Sequence, residues 1–136
     1  MEKIYSKLQP RNLLHLVNRL EDIDGRANIT DETESLQLAT FKLNSGHTFK
    51  PHKHIYFEKT ITTTQESWIV IKGSIKCIYY DLNDEFLDEV ILKAGDCSIT
   101  FRGGHTFVSL EDNTIVYENK NGPYLGKIYD SILINN

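Results

Sequence analysis

The stretch GHTFKPHKHI, residues 46–55, places two histidines, His52 and His54, one residue apart. On an extended strand successive side chains alternate between the two faces, so both imidazoles would point the same way while Lys53 points the other way. Pro51 lacks an amide donor, which favours a strand start or a sheet edge. Two imidazoles on one face can bind a single metal ion. The pair alone leaves a metal site and two surface histidines equally open.

The histidine pair belongs to a longer ordered set of residues. In chain order the set is Gly46, His52, His54, Glu66, Gly73, Gly95 and His105. This order resembles the two motifs of the cupin superfamily, a double-stranded β-helix, or jelly roll, in which two histidines, a glutamate and a later histidine commonly hold one divalent metal ion inside the barrel. The ligand set that this resemblance implies is His52, His54, Glu66 within QESWIVIKG, and His105 within GDCSITFRGGH.

The donor chemistry of the implied set suits a divalent metal ion that binds further ligands. Three neutral imidazoles and one carboxylate suit zinc, iron, nickel, manganese or copper, and do not select among them. Four protein ligands leave positions open if the ion is five- or six-coordinate. The carboxylate would also offset part of the charge of an enclosed dication. We therefore expect one divalent metal ion as the cofactor.

The sequence departs from the usual cupin spacing before the glutamate. Eleven residues separate His54 from Glu66, where the superfamily usually has three or four, and Glu58 stands at the usual offset. Glu58 is therefore a rival ligand. We prefer Glu66 because its distance to Gly73 fits the strand and hairpin that follow. The extra residues, IYFEKTITTT, would form a longer hairpin or flap near the barrel mouth.

Two further departures lie around the last histidine. The usual proline is absent, and FRGGH replaces a proline-glycine turn. Two glycines can form the same tight turn by adopting positive φ. Ser109 stands where the superfamily often has asparagine, so the match concerns the metal site more than a specific reaction.

A closer resemblance covers most of the chain. Four pieces carry it: RAN at 26–28, the histidine pair, GGHTFVSLED, and YENKNGPYLGKIYD. Together they are similar to the WbuC-like cupin metalloproteins and related small bacterial cupins, which are often associated with surface-polysaccharide gene clusters. The segment NGPYLG is the most specific piece, because a Gly-Pro-Tyr segment after the last barrel strand is not part of the general superfamily pattern.

Side chains near the implied ligands are the candidate substrate contacts. Trp68 should share a strand face with Glu66, and Phe107 should share one with His105. Filling of the barrel interior explains both rings first, and a ligand pocket lined by them is the alternative. Arg102, at the glycine turn, could meet an anionic substrate. The substrate-binding candidates are therefore Trp68, Phe107 and Arg102, and two histidines are left out of the site, His15 and His47.

The rest of the chain predicts an all-β fold behind a short N-terminal helix. Residues 10–20, PRNLLHLVNRL, carry leucines and a valine at helical spacing. From Ser35 onward, strand-like runs separated by turn signals lie at 35–43, 60–73, 74–82, 86–93, 97–101, 106–110 and 114–119. We expect the helix and a lead-in over residues 1–34, then a cupin-type jelly-roll barrel over 35–136, in a single domain overall. The tail KIYDSILI is expected to form a final strand or a strap.

Composition limits the partners. The chain has 136 residues, of which 40% are hydrophobic and 25% charged, with a formal net charge of −4. No basic stripe suggests nucleic acid, and no apolar run suggests a membrane span or a secretory signal. We therefore expect a cytoplasmic protein whose two cysteines, Cys77 and Cys97, are reduced core residues. The cupin resemblance also implies a homodimer.

These observations lead to one functional expectation with two alternatives. The first is a metal-binding protein that acts on or recognises a carbohydrate or sugar-nucleotide derivative, with the metal as a Lewis acid that favours isomerisation or enolisation. An iron-dependent dioxygenase is the rival enzyme class, since histidine and carboxylate sites with open positions also activate oxygen. A non-catalytic small-molecule binding or sensing protein is the third. Catalytic residues are not assigned.

Overall fold

Ten β-strands and two short 3-10 helices form the regular structure of residues 1–134, which are described by a computed structural model. The strands are β1 Glu2–Tyr5, β2 Leu13–Asn18, β3 Ala27–Asn28, β4 Ala39–Thr40, β5 Glu66–Lys72, β6 Ser74–Tyr80, β7 Phe86–Lys93, β8 Cys97–Thr100, β9 Gly104–Ser109 and β10 Ile115–Lys120. The 3-10 helices are Leu20–Asp22 and Lys127–Tyr129. None of the helices in residues 1–134 is long and apolar enough to cross a membrane.

The strands form three sheets, and every pairing is antiparallel. A five-stranded sheet has the order β1-β2-β8-β5-β10, a three-stranded sheet has the order β7-β6-β9, and β3 pairs with β4. The all-β prediction is confirmed. Across residues 1–134, however, these sheets keep open edges and do not close into the expected barrel.

The main core lies between the five-stranded and three-stranded sheets. Leu14 and Val70 of the larger sheet pack in one buried cluster with Ile75 and Leu92 of the smaller sheet. Such apolar burial stabilises a domain by roughly 25 cal/mol per Å² removed from water. A second cluster covers the other face of the larger sheet, where Leu36 and its neighbours pack over buried residues of β2 and β8. The central strands of the larger sheet are therefore buried on both faces.

The prediction of an N-terminal helix is wrong. Residues Leu13–Asn18 form β2, which pairs with β1 on one side and with β8 on the other. Five of its six residues are buried, including His15. A strand that is covered on both faces has apolar residues at nearly every position and therefore lacks the alternating pattern of a half-buried strand. A short run of this kind cannot be distinguished from a buried helix by its spacing alone. The residues assigned to the helix and its lead-in thus supply two strands of the main sheet.

The strands predicted after residue 66 are present, whereas the earlier ones are mostly absent. The run at 35–43 contains only the two-residue strand β4, and the run at 60–73 becomes regular only at Glu66. Cys77 and Cys97 are free and buried, as predicted. Burial raises the pKa of the Cys77 thiol to about 11 and that of Cys97 to about 12. Both cysteines therefore stay protonated at neutral pH.

Candidate functional site

Glu66 and His105 come together from different sheets. Glu66 is the first residue of β5, and His105 is the second residue of β9. Oε1 of Glu66 lies 3.4 Å from Nε2 of His105, and their side chains are 14% and 24% exposed, respectively. Trp68 of β5 also contacts the rings of His105 and Phe107 of β9, so several side chains join these two strands.

The spacing of this pair suits two ligands of one metal ion. A charge-assisted hydrogen bond between such groups is usually about 2.7–2.9 Å long, shorter than the observed 3.4 Å. Two ligands about 2.0–2.1 Å from a tetrahedral ion lie about 3.4 Å from each other. Glu66 and His105 therefore fit half of the donor set implied by the sequence.

The second ring nitrogen of His105 lacks a partner. Nδ1 is buried and has no hydrogen bond among the described residues. The ring lies against Trp68, with centroids 4.5 Å apart and planes tilted by 50°. Histidines that bind metal usually donate their other nitrogen to a carboxylate, a carbonyl or water, so this ring lacks the usual second contact. A buried polar atom left unpaired costs about 1–3 kcal/mol.

An aromatic pair lies next to the glutamate and the histidine. Trp68 follows Glu66 by two residues and Phe107 follows His105 by two residues, and their rings meet edge to face with centroids 4.8 Å apart. The predicted sharing of strand faces is thus observed. Trp68 is buried, and its Nε1 donates a hydrogen bond to Glu118 Oε2 at 3.3 Å. Phe107 is 37% exposed, so it is the ring of the two that a ligand can reach.

The other two predicted ligands lie on a separate segment. His52 and His54 are exposed, and their ring centroids are 5.4 Å apart. Glu58, the rival ligand, lies on the same segment, which has no strand between residues 48 and 63. Within residues 1–134, no group of three or more histidine, cysteine, aspartate or glutamate side chains is placed to hold one ion. The predicted set is therefore present as two pairs and is not assembled in a single chain.

Arg102 is engaged by a carboxylate. Its Nη1 and Nη2 atoms donate to Glu34 Oε1 at 2.9 Å and Oε2 at 3.1 Å. Gln65 also donates to Glu34, from Nε2 to Oε2 at 2.6 Å, and it accepts a hydrogen bond from the backbone of Leu36. Gln65 is buried, and its side chain bonds to Glu34 and Leu36. An anionic ligand would have to compete with Glu34 for Arg102.

The C-terminal tail runs as a strap beside the candidate site. Asp130 accepts hydrogen bonds from Thr64 at 2.8 Å and from Lys120 at 3.2 Å, and Lys120 is the ladder partner of Glu66. Those hydrogen bonds lower the pKa of Asp130. Farther along, Ile134 lies so close to Gly104 that a Cβ there would overlap it. Of the two expectations for the tail, a final strand or a strap, the structure has the strap.

The glycine turn before His105 uses one left-handed residue. Gly103 has φ of +79°, whereas Gly104 does not adopt positive φ. A Cβ on Gly103 would lie 2.6 Å from the carbonyl oxygen of Tyr80. The expectation that two glycines would adopt positive φ thus holds for Gly103 alone. This turn sets the start of β9 and hence the position of His105.

Sequence reasoning missed the buried histidine of β2. Nδ1 of His15 lies 2.9 Å from Thr100 Oγ1, and Nε2 lies 3.4 Å from the carbonyl oxygen of Tyr80. Burial lowers the pKa of His15 to about 4. The sequence feature that could have predicted this burial is a single histidine within the apolar run LLHLV. Such a run is typical of a strand covered on both faces.

Comparison of the chain with protein-family models, with curated proteins and with solved structures found no match.

Proposed function

We propose that this chain is a cytoplasmic, cupin-type metalloprotein that acts on or recognises a carbohydrate or sugar-nucleotide derivative of surface-polysaccharide metabolism. The ligands we propose are His52, His54, Glu66 and His105. The observation that carries the proposal is the 3.4 Å separation of Glu66 Oε1 and His105 Nε2, which suits two ligands of one ion. Two facing antiparallel sheets and the order of the motif residues support the cupin-type arrangement.

The side chains around the pair suit a small polar molecule with an apolar face. Phe107 offers an accessible ring, while Trp68 stiffens the wall behind it through its contacts with Phe107 and His105. Small-molecule sites commonly combine such apolar walls with a few polar groups that fix orientation. A bound divalent ion would supply Lewis-acid polarisation of a carbonyl or hydroxyl oxygen, which favours isomerisation or enolisation.

Metal content tests the proposal. Untagged protein is purified and its metals are measured by elemental analysis, and Zn²⁺ binding to the metal-free chain is measured by calorimetry. We expect up to one ion per chain for the wild type and a loss of at least tenfold in affinity for His105→Ala. His47→Ala is the matched control, because His47 lies just before the predicted ligand pair and is exposed. A wild type that binds no Zn²⁺, or a His105→Ala variant that binds it equally well, contradicts the proposal.

A ligand screen tests the substrate class. Thermal unfolding of the metal-loaded chain is followed with sugar nucleotides and sugar phosphates, and binding to the folded state alone should raise the midpoint. If none of these compounds raises it, the carbohydrate assignment fails while the metal site stands. Iron in the purified protein together with oxygen consumption would instead identify the dioxygenase.

A second candidate follows from the same contact. The Glu66 carboxylate beside the His105 imidazole is also the arrangement of a general base held by an acidic neighbour, which moves protons without a metal. In that case a ligand should still bind to protein treated with a chelator. Equal ligand affinity with and without chelator would favour this candidate over the metalloprotein.

A further inference from the structure

Residues 48–63, here called the arm, extend from the body of the chain, and Phe49 near their start packs edge to face on Phe41 with ring centroids 5.6 Å apart. Within residues 1–134 the arm contains no strand and makes no backbone hydrogen bond to another element. Three consecutive large apolar side chains of the arm, Ile55, Tyr56 and Phe57, are 82%, 94% and 72% exposed. A run of this kind on the surface of a soluble chain marks an interaction site.

The strand that carries His105 has an unpaired edge. In the three-stranded sheet, β9 pairs with β6 and has no strand on its other side among the described residues. The β9 side chains from Thr106 to Ser109 are exposed, including Phe107. An open edge presents free amide and carbonyl groups, which readily accept an added strand.

We propose that the arm of a second copy of this chain lies along the open edge of β9, and that this exchange brings His52 and His54 of one copy to Glu66 and His105 of the other. This inference rests on the proposed metal function, because the donor set is complete only between the two copies. It accounts for the division of the donors into two pairs within one chain.

The structure of the single chain favours docking of the arm on a second copy over docking on its own β9 edge. Among the described residues of the single chain, the arm makes no strand pairing and no backbone hydrogen bond with β9. The strap adds further exposed apolar residues, among them Ile128 and Ile132, which a second copy could also cover. Reciprocal exchange between two copies covers equivalent surfaces on both, as expected of a two-fold symmetric dimer.

Charge favours the same pairing. The arm carries three lysines, Lys50, Lys53 and Lys59, against Glu58, a formal charge of +2 with neutral histidines. The region from β9 through β10, residues 104–120, carries three acidic residues against one lysine, a formal charge of −2. Opposite charges on the two surfaces steer them together and disfavour other pairings.

The mass of the protein in solution is the first test. Light scattering with size exclusion should give the mass of two chains of 15.7 kDa each for the wild type. The double variant Tyr56→Ser/Phe57→Ser should shift the dimer toward the monomer by at least tenfold in dissociation constant. Ile91→Ser is the control, because Ile91 is an exposed apolar residue of β7, outside the arm and the β9 edge. A monomeric wild type, or a dimer that the arm variant leaves unchanged, overturns the proposal.

Complementation between two inactive sites is the second test. One variant lacks the arm histidines, His52→Ala/His54→Ala, and the other lacks the body ligands, Glu66→Gln/His105→Ala. Each alone should bind Zn²⁺ weakly. When the two are unfolded and refolded together, about one site for every four chains should be restored, because half of the randomly formed dimers are mixed and each has one complete site.

The outcomes separate the two proposals. If the wild type binds Zn²⁺ and the mixture does not, the ligands come from one chain and the exchange is overturned while the metal function stands. If the wild type binds no Zn²⁺ but the arm variant still dissociates the dimer, the metal function fails and the docking of the arm stands.

Discussion

The imidazole of His15 stacks on the ring of Tyr79, with centroids 4.4 Å apart and planes at 28°. His15 lies on β2 and Tyr79 on β6, so the contact joins the two main sheets. Both residues are fully buried, and the Tyr79 hydroxyl is 2.6 Å from Ser98 Oγ. Burial raises the pKa of Tyr79 and lowers that of His15, which keeps both side chains uncharged.

Acid should destabilise the protein through His15. Its pKa is lowered from 6.5 to about 4 in the folded state, mainly by burial; nearby His105 lowers it further, whereas Tyr80 and Asp81 oppose the shift. The unfolded chain therefore binds a proton below pH 6.5 that the folded chain excludes, and stability falls as pH drops from 6.5 toward 4. The full effect is about 3 kcal/mol. Urea unfolding at pH 7 and pH 4.5 measures most of this loss of stability.

A variant without the titrating group isolates this effect. His15→Gln should lower stability at pH 7 but flatten the slope between pH 6.5 and 4, whereas His47→Gln should leave the slope unchanged. Asp81 and Asp96 have pKa values lowered by hydrogen bonds, from an ordinary 3.8, so their contribution is lost only at lower pH. An unchanged slope in His15→Gln would mean that other groups cause the acid sensitivity.

Gly103→Ala should be more destabilising than an alanine at another left-handed glycine. Gly25 also has positive φ, +71°, but a Cβ there would meet nothing within 4 Å, so Gly25→Ala should cost about 1–2 kcal/mol. At Gly103 the same backbone strain is joined by contact with the Tyr80 carbonyl oxygen. We expect an additional cost of about 1–3 kcal/mol. Equal unfolding free energies for the two variants would show that the turn relaxes freely.

The two rival glutamates can be separated by metal affinity. Glu66→Gln should weaken Zn²⁺ binding at least tenfold, because Glu66 is partly buried beside His105, while Glu58→Gln should change it little. The affinity should fall because Glu66→Gln removes a negative charge that attracts the cation in a low-dielectric site. Isothermal calorimetry on both variants provides the comparison. The reverse ranking would assign the carboxylate to Glu58, at the usual cupin offset.

Replacing Trp68 should mainly lower stability, whereas replacing Phe107 should mainly lower ligand affinity. Trp68→Ala should cost about 3–5 kcal/mol of stability, because the ring is buried in the main core. Phe107→Ala should cost about 1–2 kcal/mol, since the side chain is partly exposed on an edge strand. If Phe107 contacts the ligand, its variant should lose ligand affinity while remaining folded. Chemical unfolding and ligand titration of the same samples measure both effects.

The local sequence pattern predicted which side chains share a strand face, but it did not predict which strands pair with each other. The two-residue spacing of Glu66 and Trp68, and of His105 and Phe107, predicted a shared face for each pair, and the contacts of Trp68 with His105 and Phe107 agree with it. The same kind of reasoning failed for Leu13–Asn18, because burial on both faces depends on β1 and β8, which local periodicity does not encode.

The arm shows a second limit of sequence reasoning. We expected the histidine pair on an extended strand and the residues after it in a longer hairpin or flap, yet a strand forms only where another edge is available to it. In the single chain none of the described elements pairs with residues 48–63. The sequence therefore indicated which side chains suit a metal, while their assembly depends on contacts beyond local pattern.

The position of β2 between β1 and β8 has a consequence for protein synthesis. Its partner β8 is far along the chain, and Thr100, whose side chain meets His15, lies 85 positions after it. While a ribosome translates the intervening codons, the nascent LLHLV segment can pair only with β1 and keeps its other flank bare. Long-range strand pairing of this kind is slow, and hydrophobic surface and the unpaired strand edge stay exposed until it is complete. Newly made chains should therefore depend on chaperone protection until β8 has emerged from the exit tunnel.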